Sequence, residues 1–545
     1  MTTKKTPSPH TQIKHVLDDL GIQCEYSVDA IAESKAWLVS PGIDDPELTD
    51  LTALPFVTID NPDSRDLDQA LHIQADDDGY LLHYALADAA YYVRPGSALF
   101  QEALSRGATF YTPLIAAPML PVNLSEGLVS LNPGVDRRAL IFELTIDTDG
   151  EVTRCSVLRG RIHSHAKLNY GGVQAWLNDE AECSEKWHAS LRLLKSLGEC
   201  LIKASERRGV IPFDRQETAI QTSKDASRFS IGARKRYRTE KYNEQLSLIC
   251  NMQGAQLLLG LSGYSDALQA VYRVHEAPLK QKTAQLRKTL SDFAAKQTSP
   301  DIWQWQAGQS LADYVAQLPA GEQNKRRVRS VQRQIMQAQR ASSFQPDAGE
   351  HHALKAASYA RFSSPMREIV GIFTHKELLE AMMADTGIPD DSPVASQDDF
   401  AHGQVGDETD SESRNEADEA LREAVISAAN GSRRLQRQVD KRIELLALHD
   451  VFDEELNADV TVEHVGTIMG FRSDRLYISL DSMAIDIKIY QKDLQHQYST
   501  RYAIDNISAV PDDDTCPQWL LGDAVRISLY AFDAERNRFV FHLFQ

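Results

Sequence analysis

The stretch FVTIDNPDSRDLDQALHI, residues 56–73, decides how the chain is read. Phe56-Val57-Thr58-Ile59 is a short apolar run of the kind that forms a buried strand, and Asn61-Pro62 with Ser64 marks a loop directly after it. Asp60, Asp63, Asp66 and Asp68 therefore sit together at a strand end. Carboxylates this close repel one another, lose hydration where partly buried and raise each other's pKa, so the cluster is costly unless cations share it. All-oxygen donors suit magnesium or manganese, which bind beside substrate phosphates. The competing reading is a solvated acidic turn in which Asp66 or Asp68 caps a following helix.

The surroundings favour the first reading. Thr58-Ile59-Asp60, a short spacer and Arg65-Asp66-Leu67-Asp68-Gln69-Ala70 resemble the signature of the ribonuclease II/ribonuclease R family, a TID followed by D-x-D-D-A. The likeness continues through Leu82 to Asp88, Gly107 to Tyr111, Ala117 to Pro121, Asn123 to Glu126 and Ser130-Leu131. It resumes at Lys167-Leu168-Asn169-Tyr170, at Tyr272 to Glu276 and at Phe362-Ser363-Ser364-Pro365-Met366-Arg367, which is similar to the family's FTSPIRR. The resemblance implies a mixed α/β (α+β) RNB catalytic domain followed by an all-β OB-type barrel. It also implies a hydrolytic 3′→5′ exoribonuclease that degrades single-stranded RNA to nucleoside 5′-monophosphates with Mg2+ or Mn2+.

On the same resemblance Asp60, Asp66 and Asp68 are metal ligands, with Asp66, Asp68 and Arg367 catalytic. Asp68 is the acid nearest the scissile phosphate, and Arg367 is the guanidinium that contacts it. Tyr111 and Tyr170 match channel aromatics, Phe213 is a looser match for the opposite clamp, and Glu244 is a candidate for sensing the ribose. Four positions depart from the pattern. Gln69 replaces the last carboxylate of D-x-D-D, which should weaken a second ion unless Asp63 or another acid substitutes. Gln436 and Gln245 stand where glutamates are expected, with Glu244 able to serve after a one-residue slip, and Gly371 stands where an aspartate often follows the arginine. The alternative function is thus a catalytically weak or inactive RNB-domain RNA-binding protein.

At 545 residues the chain is too long for one core, and two or three domains are expected. Residues 1–50 hold two short helical patterns, Thr11 to Leu20 and Ala30 to Leu38, too little for the paired cold-shock barrels of the family's larger members. Residues 51–450 form the RNB region, with helical spacing over Leu191 to Arg207, Lys241 to Leu259, Ala277 to Ala294 and Arg326 to Arg340. Within it, 385–420 carries twelve acids against Arg414 alone and reads as a disordered insert, helix resuming near Asp418. From 460 to 545, short alternating strands predict the barrel, with Phe471, Arg472 and Tyr477 as candidates for stacking single strands.

The net charge of −20 argues against a simple phosphate-backbone binder. Basic clusters recur nonetheless at Arg137-Arg138, Arg159 to Arg161, Arg234 to Arg238 and Lys325 to Arg333, a pattern compatible with a basic channel inside an acidic shell. Six scattered cysteines without a C-x-x-C pair argue against a zinc site or a disulfide framework. No run of eighteen apolar residues and no leader-like start is present, so a cytoplasmic monomer without membrane contact or obligate protein partner is expected.

Overall fold

Phe56–Asp60 is a strand, as its apolar run predicts, and a mixed sheet is built around it. In chain order the sheet contains β1 (Thr49–Asp50), β2 (Phe56–Asp60), β3 (Gln69–Asp76), β4 (Gly79–Ala87), β5 (Asp136–Asp147) and β6 (Val152–Asn169). The structure, a computed structural model, describes residues 7–179, 184–213, 216–262, 268–383, 411–457 and 461–545. β3, β4 and β5 run as an antiparallel meander from β2. The 18-residue β6 pairs antiparallel with β5 along its first part and parallel with β2 at its end, which closes the sheet on itself. That closure sets Asp60 opposite Asn169.

Alternate strand residues point to opposite faces, and both faces are covered. The relevant helices are α1 (Pro9–Asp19), α2 (Val28–Val39), α3 (Tyr170–Asn178), α4 (His188–Arg207), α5 (Arg238–Ser262), α6 (Lys280–Ala295), α7 (Lys325–Ala338), α8 (Ile369–Met383) and α9 (Ser411–Leu456). Val57, Ile59, Leu71 and Tyr84 pack against Leu194 of α4 and Leu246 and Ile249 of α5. Phe56, Ala70, Ala85 and Ile141 pack against Phe373 of α8 and Val425 and Ala429 of α9. The helices expected from spacing form within a few residues of their predicted ends. The exception is α9, which starts at Ser411 rather than near Asp418. Residues 411–420 of the acidic stretch are therefore helical, and 385–410 lie outside the described residues.

The C-terminal strands are β7 (Glu463–Arg472), β8 (Arg475–Leu480), β9 (Ile485–Tyr490), β10 (Ala524–Asp533) and β11 (Arg538–Phe544). They form one antiparallel sheet in the order β9-β8-β7-β10-β11, consistent with an OB-type region. Phe471 is mostly buried in its core, together with Ile468, Leu476 and Ile527.

Several cations of the basic clusters are paired locally with acids. Arg138 and Arg159 bind Asp88, Arg161 binds Asp50, and Arg234 and Arg236 bind Glu217 and Glu240. On α7, Arg326 and Arg333 reach Asp481 and Asp486 of the C-terminal sheet, so the most basic helix docks that sheet. Among the described residues no helix is long and apolar enough to cross a membrane.

Candidate active site

The loop after β2 is short and held from two sides. Lys167 of β6 donates to the carbonyls of Pro62 (3.0 Å) and Ser64, while Ser130 accepts from the Leu67 N–H (3.0 Å) and donates to the Arg65 carbonyl (2.7 Å). Lys167 and Ser130 both belong to stretches singled out in the sequence, and their work here is to fix where Asp66 and Asp68 fall. Asp63 is exposed in the turn, and neither it nor Asp66 lines the cleft described below.

Asp68 is only 2% exposed. Its Oδ1 accepts from the Met366 N–H (2.8 Å), and its Oδ2 accepts from Arg367 Nε. Burial pushes its carboxyl up, Arg367 and the Met366 N–H pull against the rise and Asp66 adds to it, which leaves it raised to about 6. Burial opposes the charge on Arg367, but Asp68, Asp66 and Asp60 outweigh it, so the guanidinium is held ionised well above its ordinary range. Asp60, Asp66, Asp68 and Arg367 thus form one electrostatic unit, although 299 residues separate Asp68 from Arg367.

The turn that presents Arg367 is pinned by Asn251 of α5, a fully buried residue. Its Oδ1 accepts from the N–H groups of Phe362 (2.7 Å) and Ser363 (3.1 Å), and its Nδ2 donates to Ser363 Oγ (2.8 Å) and Tyr359 Oη (2.9 Å). Sequence reasoning missed Asn251, although an amide on the apolar stripe of a predicted helix is a readable signal. Gly371 packs against the same turn. A Cβ there would lie 2.9 Å from the Pro365 Cα and 3.0 Å from the Ser364 carbonyl oxygen, so the glycine lets α8 approach the turn that carries Arg367.

Both glutamines near the site have partners suited to an amide. Gln69 Oε1 accepts from the buried Tyr84 hydroxyl, and its Nε2 donates to the Ser363 carbonyl. Gln436 Oε1 accepts from the Tyr111 N–H (3.1 Å), and its Nε2 donates to the Tyr111 carbonyl (3.0 Å) and to Asp440 (2.7 Å). A carboxylate accepts but does not donate, so neither set of bonds is available to an acid. Tyr111, held this way, donates its hydroxyl to Asp66 and leaves a half-exposed ring.

A cleft of about 200 Å3 is lined by Asp60, Asp68, Gln69, Tyr170, Glu244 and Arg367, with Arg236, Glu240 and Asn243 at its side. Tyr170 enters it because Asn169, at the end of β6, caps α3 by accepting from the Gly172 N–H (2.8 Å). Its hydroxyl accepts from Asn243 (3.2 Å) and is pushed up to about 12, first by burial and then by Asp60. Glu244 lines the cleft and Gln245 does not. Phe213 is not brought there; it packs against the core of the C-terminal sheet. Arg472 and Tyr477 line a separate groove of about 630 Å3 between α6, α7 and β7.

The model of the RNB domain matches residues 48–384. The chain belongs to the RNB family, that of ribonuclease II and ribonuclease R. Its RNB relatives include ribonuclease R of Vibrio parahaemolyticus, 31% identical over 62% of this chain and 40% of that one. Ribonuclease R of Vibrio cholerae is 28% identical over 91% of this chain and 56% of that one. The chain spans about half the length of these curated relatives. Among solved RNB structures, Mycoplasma genitalium RNase R in complex with ribose-methylated single-stranded RNA matches with a TM-score of 0.81, at 21% identity over 98% of this chain and 78% of that one. Yeast Ssd1, a pseudonuclease, matches with a TM-score of 0.64 at 14% identity over 96% of this chain and 58% of that one. The fold is thus shared with proteins named ribonuclease R and with one described as a pseudonuclease, so function has to be argued from the site.

Proposed function

We infer that the chain is a hydrolytic 3′→5′ exoribonuclease that removes nucleoside 5′-monophosphates from single-stranded RNA with magnesium or manganese. The observation that carries this reading is the Asp68–Arg367 pair set beside Asp60 and Asp66. A structural ion pair needs no further carboxylates at its rim. A phosphodiester site does, because a cation and the phosphate share them.

The donor set fits a hard divalent ion. Asp60 and Asp66 are oxygen donors whose fields meet at Arg367, and magnesium is held in such sites by one or two carboxylates together with substrate phosphate and water. Among the described residues no group of three or more His, Cys, Asp or Glu is placed to hold a metal. The fit is therefore to an ion completed by the RNA, and not to a protein cage. When bound, such an ion neutralises phosphate charge and makes a water more acidic.

The chain's own residues do the rest. Arg367 offers guanidinium N–H groups to the non-bridging oxygens, a role that requires it to be held rigid and charged. Asp68, with one oxygen on Arg367 and the other on the Met366 N–H, holds it so. Tyr111 supplies a ring on which a base stacks, while Tyr170, Asn243 and Glu244 present hydroxyl, amide and carboxylate groups to the terminal ribose. The groove with Tyr477 and Arg472 offers an aromatic and a cation to RNA farther from the site.

Purified protein incubated with 5′-labelled single-stranded RNA and magnesium or manganese should shorten it progressively from the 3′ end. The amides Gln69 and Gln436, where the family pattern has acids, favour a second reading, an RNA-binding protein without turnover, and retention of full-length RNA would establish that reading instead.

Replacing Gln436 by Glu tests the clamp. The substitution keeps the acceptor for the Tyr111 N–H, but it turns a carboxylate toward the Tyr111 carbonyl and toward Asp440. Loss of such a bond costs ~1–2 kcal/mol, so affinity for a short single strand should fall roughly tenfold. Unchanged affinity in an anisotropy titration would show that the position of Tyr111 does not matter for RNA.

A further inference from the structure

Arg367 is shared by two cavities of opposite character. The first is the carboxylate cleft. The second, about 400 Å3, is lined by Ala108, Tyr111, Arg361, Arg367, Ser432 and Arg433, with Glu368, Gln436 and Asp440 also on its wall. Its volume falls within the range of small-molecule pockets, ~300–1,000 Å3. One side of α9 supplies Ser432, Arg433, Gln436 and Asp440 at helical spacing.

The charges in this second cavity favour an anion. Of its two acids, Glu368 is held by Arg361 (2.8 and 3.1 Å) and Asp440 by Gln436 (2.7 Å). Arg433 is turned to neutral partners, the Ser342 carbonyl (3.1 Å) and hydroxyl (3.3 Å). Behind it Arg273 lies against the same Phe344 ring, the two guanidiniums 6.0 and 5.6 Å from its centroid. Burial and the nearby Arg433 and Arg361 lower Arg273 to about 10, as expected where cations outnumber their counter-ions.

We propose that this cavity takes the phosphate monoester of a released nucleoside 5′-monophosphate, with Arg433, whose partners are neutral, as its anchor and the ion-paired Arg361 and Arg367 on the same wall. The proposal rests on the exoribonuclease reading. In that reaction water adds across the P–O3′ bond: the hydroxyl goes to phosphorus and the proton to the departing 3′ oxygen. A diester with one charge becomes a monoester carrying nearly two at neutral pH. Asp60, Asp66 and Asp68 repel the added charge more strongly than they repelled the diester. The guanidiniums on the other cavity attract it, and Arg367 borders both. The same field that loosens product from the carboxylates therefore gives it a place to go.

The test is calorimetric titration of the full chain with adenosine 5′-monophosphate, adenosine and inorganic phosphate. The monophosphate should bind, adenosine should not, and phosphate should bind more weakly than the monophosphate and compete with it. Arg433→Gln should weaken the monophosphate about tenfold or more, and Arg433→Lys should recover part of the loss. Ala108→Phe, which fills the cavity from another element, should weaken it too, so the test stands if Arg433→Gln does not fold. Neither residue lines the carboxylate cleft, so binding there would be unchanged. Monophosphate affinity unchanged in the folded variants, adenosine binding as tightly as the monophosphate, or phosphate alone binding as tightly would each overturn the proposal. RNA cleavage measured on the same preparations keeps the two readings apart. Arg433-dependent binding without cleavage removes only the exoribonuclease activity, and cleavage without Arg433-dependent binding removes only the product site.

Discussion

Asp68→Asn lowers RNA hydrolysis by on the order of 10³-fold while the protein still holds RNA. The buried carboxylate bonds both the Met366 N–H and Arg367 Nε, and it is the nearest charge compensating that guanidinium. An amide of the same size keeps one acceptor, but it withdraws the negative charge and points an N–H toward one of the two donors. Arg367 then loses the fixed direction it needs to stabilise charge developing on the phosphate. RNA affinity is retained or rises, because one repulsion with phosphate is gone. The wild type should approach the same defect as pH falls through about 6, since burial places the Asp68 proton in that range and the neutral acid grips Arg367 weakly. Single-turnover cleavage of 5′-labelled RNA across pH 5 to 8, with a melting curve for each protein, measures both effects. A folded Asp68→Asn protein that cleaves at the wild-type rate removes Asp68 from the reaction.

Much of the site was legible because its residues lie in short stretches with their own local logic. An apolar run ends at Asp60, a Pro-containing turn follows, and the acids at 66 and 68 fall where that turn returns to the sheet. The long-range pairings around those acids were less legible. Gln436 meets Tyr111 across 325 positions and Gln69 meets Ser363 across 294, and nothing local in either stretch announces the pairing. Read alone, each glutamine is a missing carboxylate; in the fold, each is an amide using both donor and acceptor. The partners of the basic clusters were hidden for the same reason. Arg326 and Arg333 on α7 are neutralised by Asp481 and Asp486, about 155 and 153 positions away, so their charge is spent on holding the C-terminal sheet. The early start of α9 was hidden by composition. The polar run from Ser411 to Glu419 carries no apolar stripe to count.

Gln69→Asp decides whether the glutamine marks a weakened metal site or a rebuilt one. If the family's missing acid were simply a missing ligand, restoring it would raise occupancy of a second ion and speed hydrolysis at low magnesium. The geometry predicts the opposite. Gln69 is bound at both ends, accepting from Tyr84, whose ring is fully buried, and donating to the Ser363 carbonyl in the turn that carries Arg367. An aspartate is one methylene shorter and has no proton to donate, so the Ser363 carbonyl loses its donor and the Tyr84 hydroxyl its acceptor. Each unsatisfied buried group costs ~1–3 kcal/mol, and the new charge sits next in sequence to Asp68, raising a pKa that burial has already pushed up. The variant should therefore be less stable by roughly 2–6 kcal/mol and slower at every magnesium concentration. Gln69→Glu, which keeps the length and the acceptor for Tyr84, should lose less of both. Metal titrations of the three proteins, with melting temperatures alongside, separate the two accounts: faster cleavage by Gln69→Asp confined to low magnesium would mean that the glutamine's hydrogen bonds are incidental and that the site lacks a ligand.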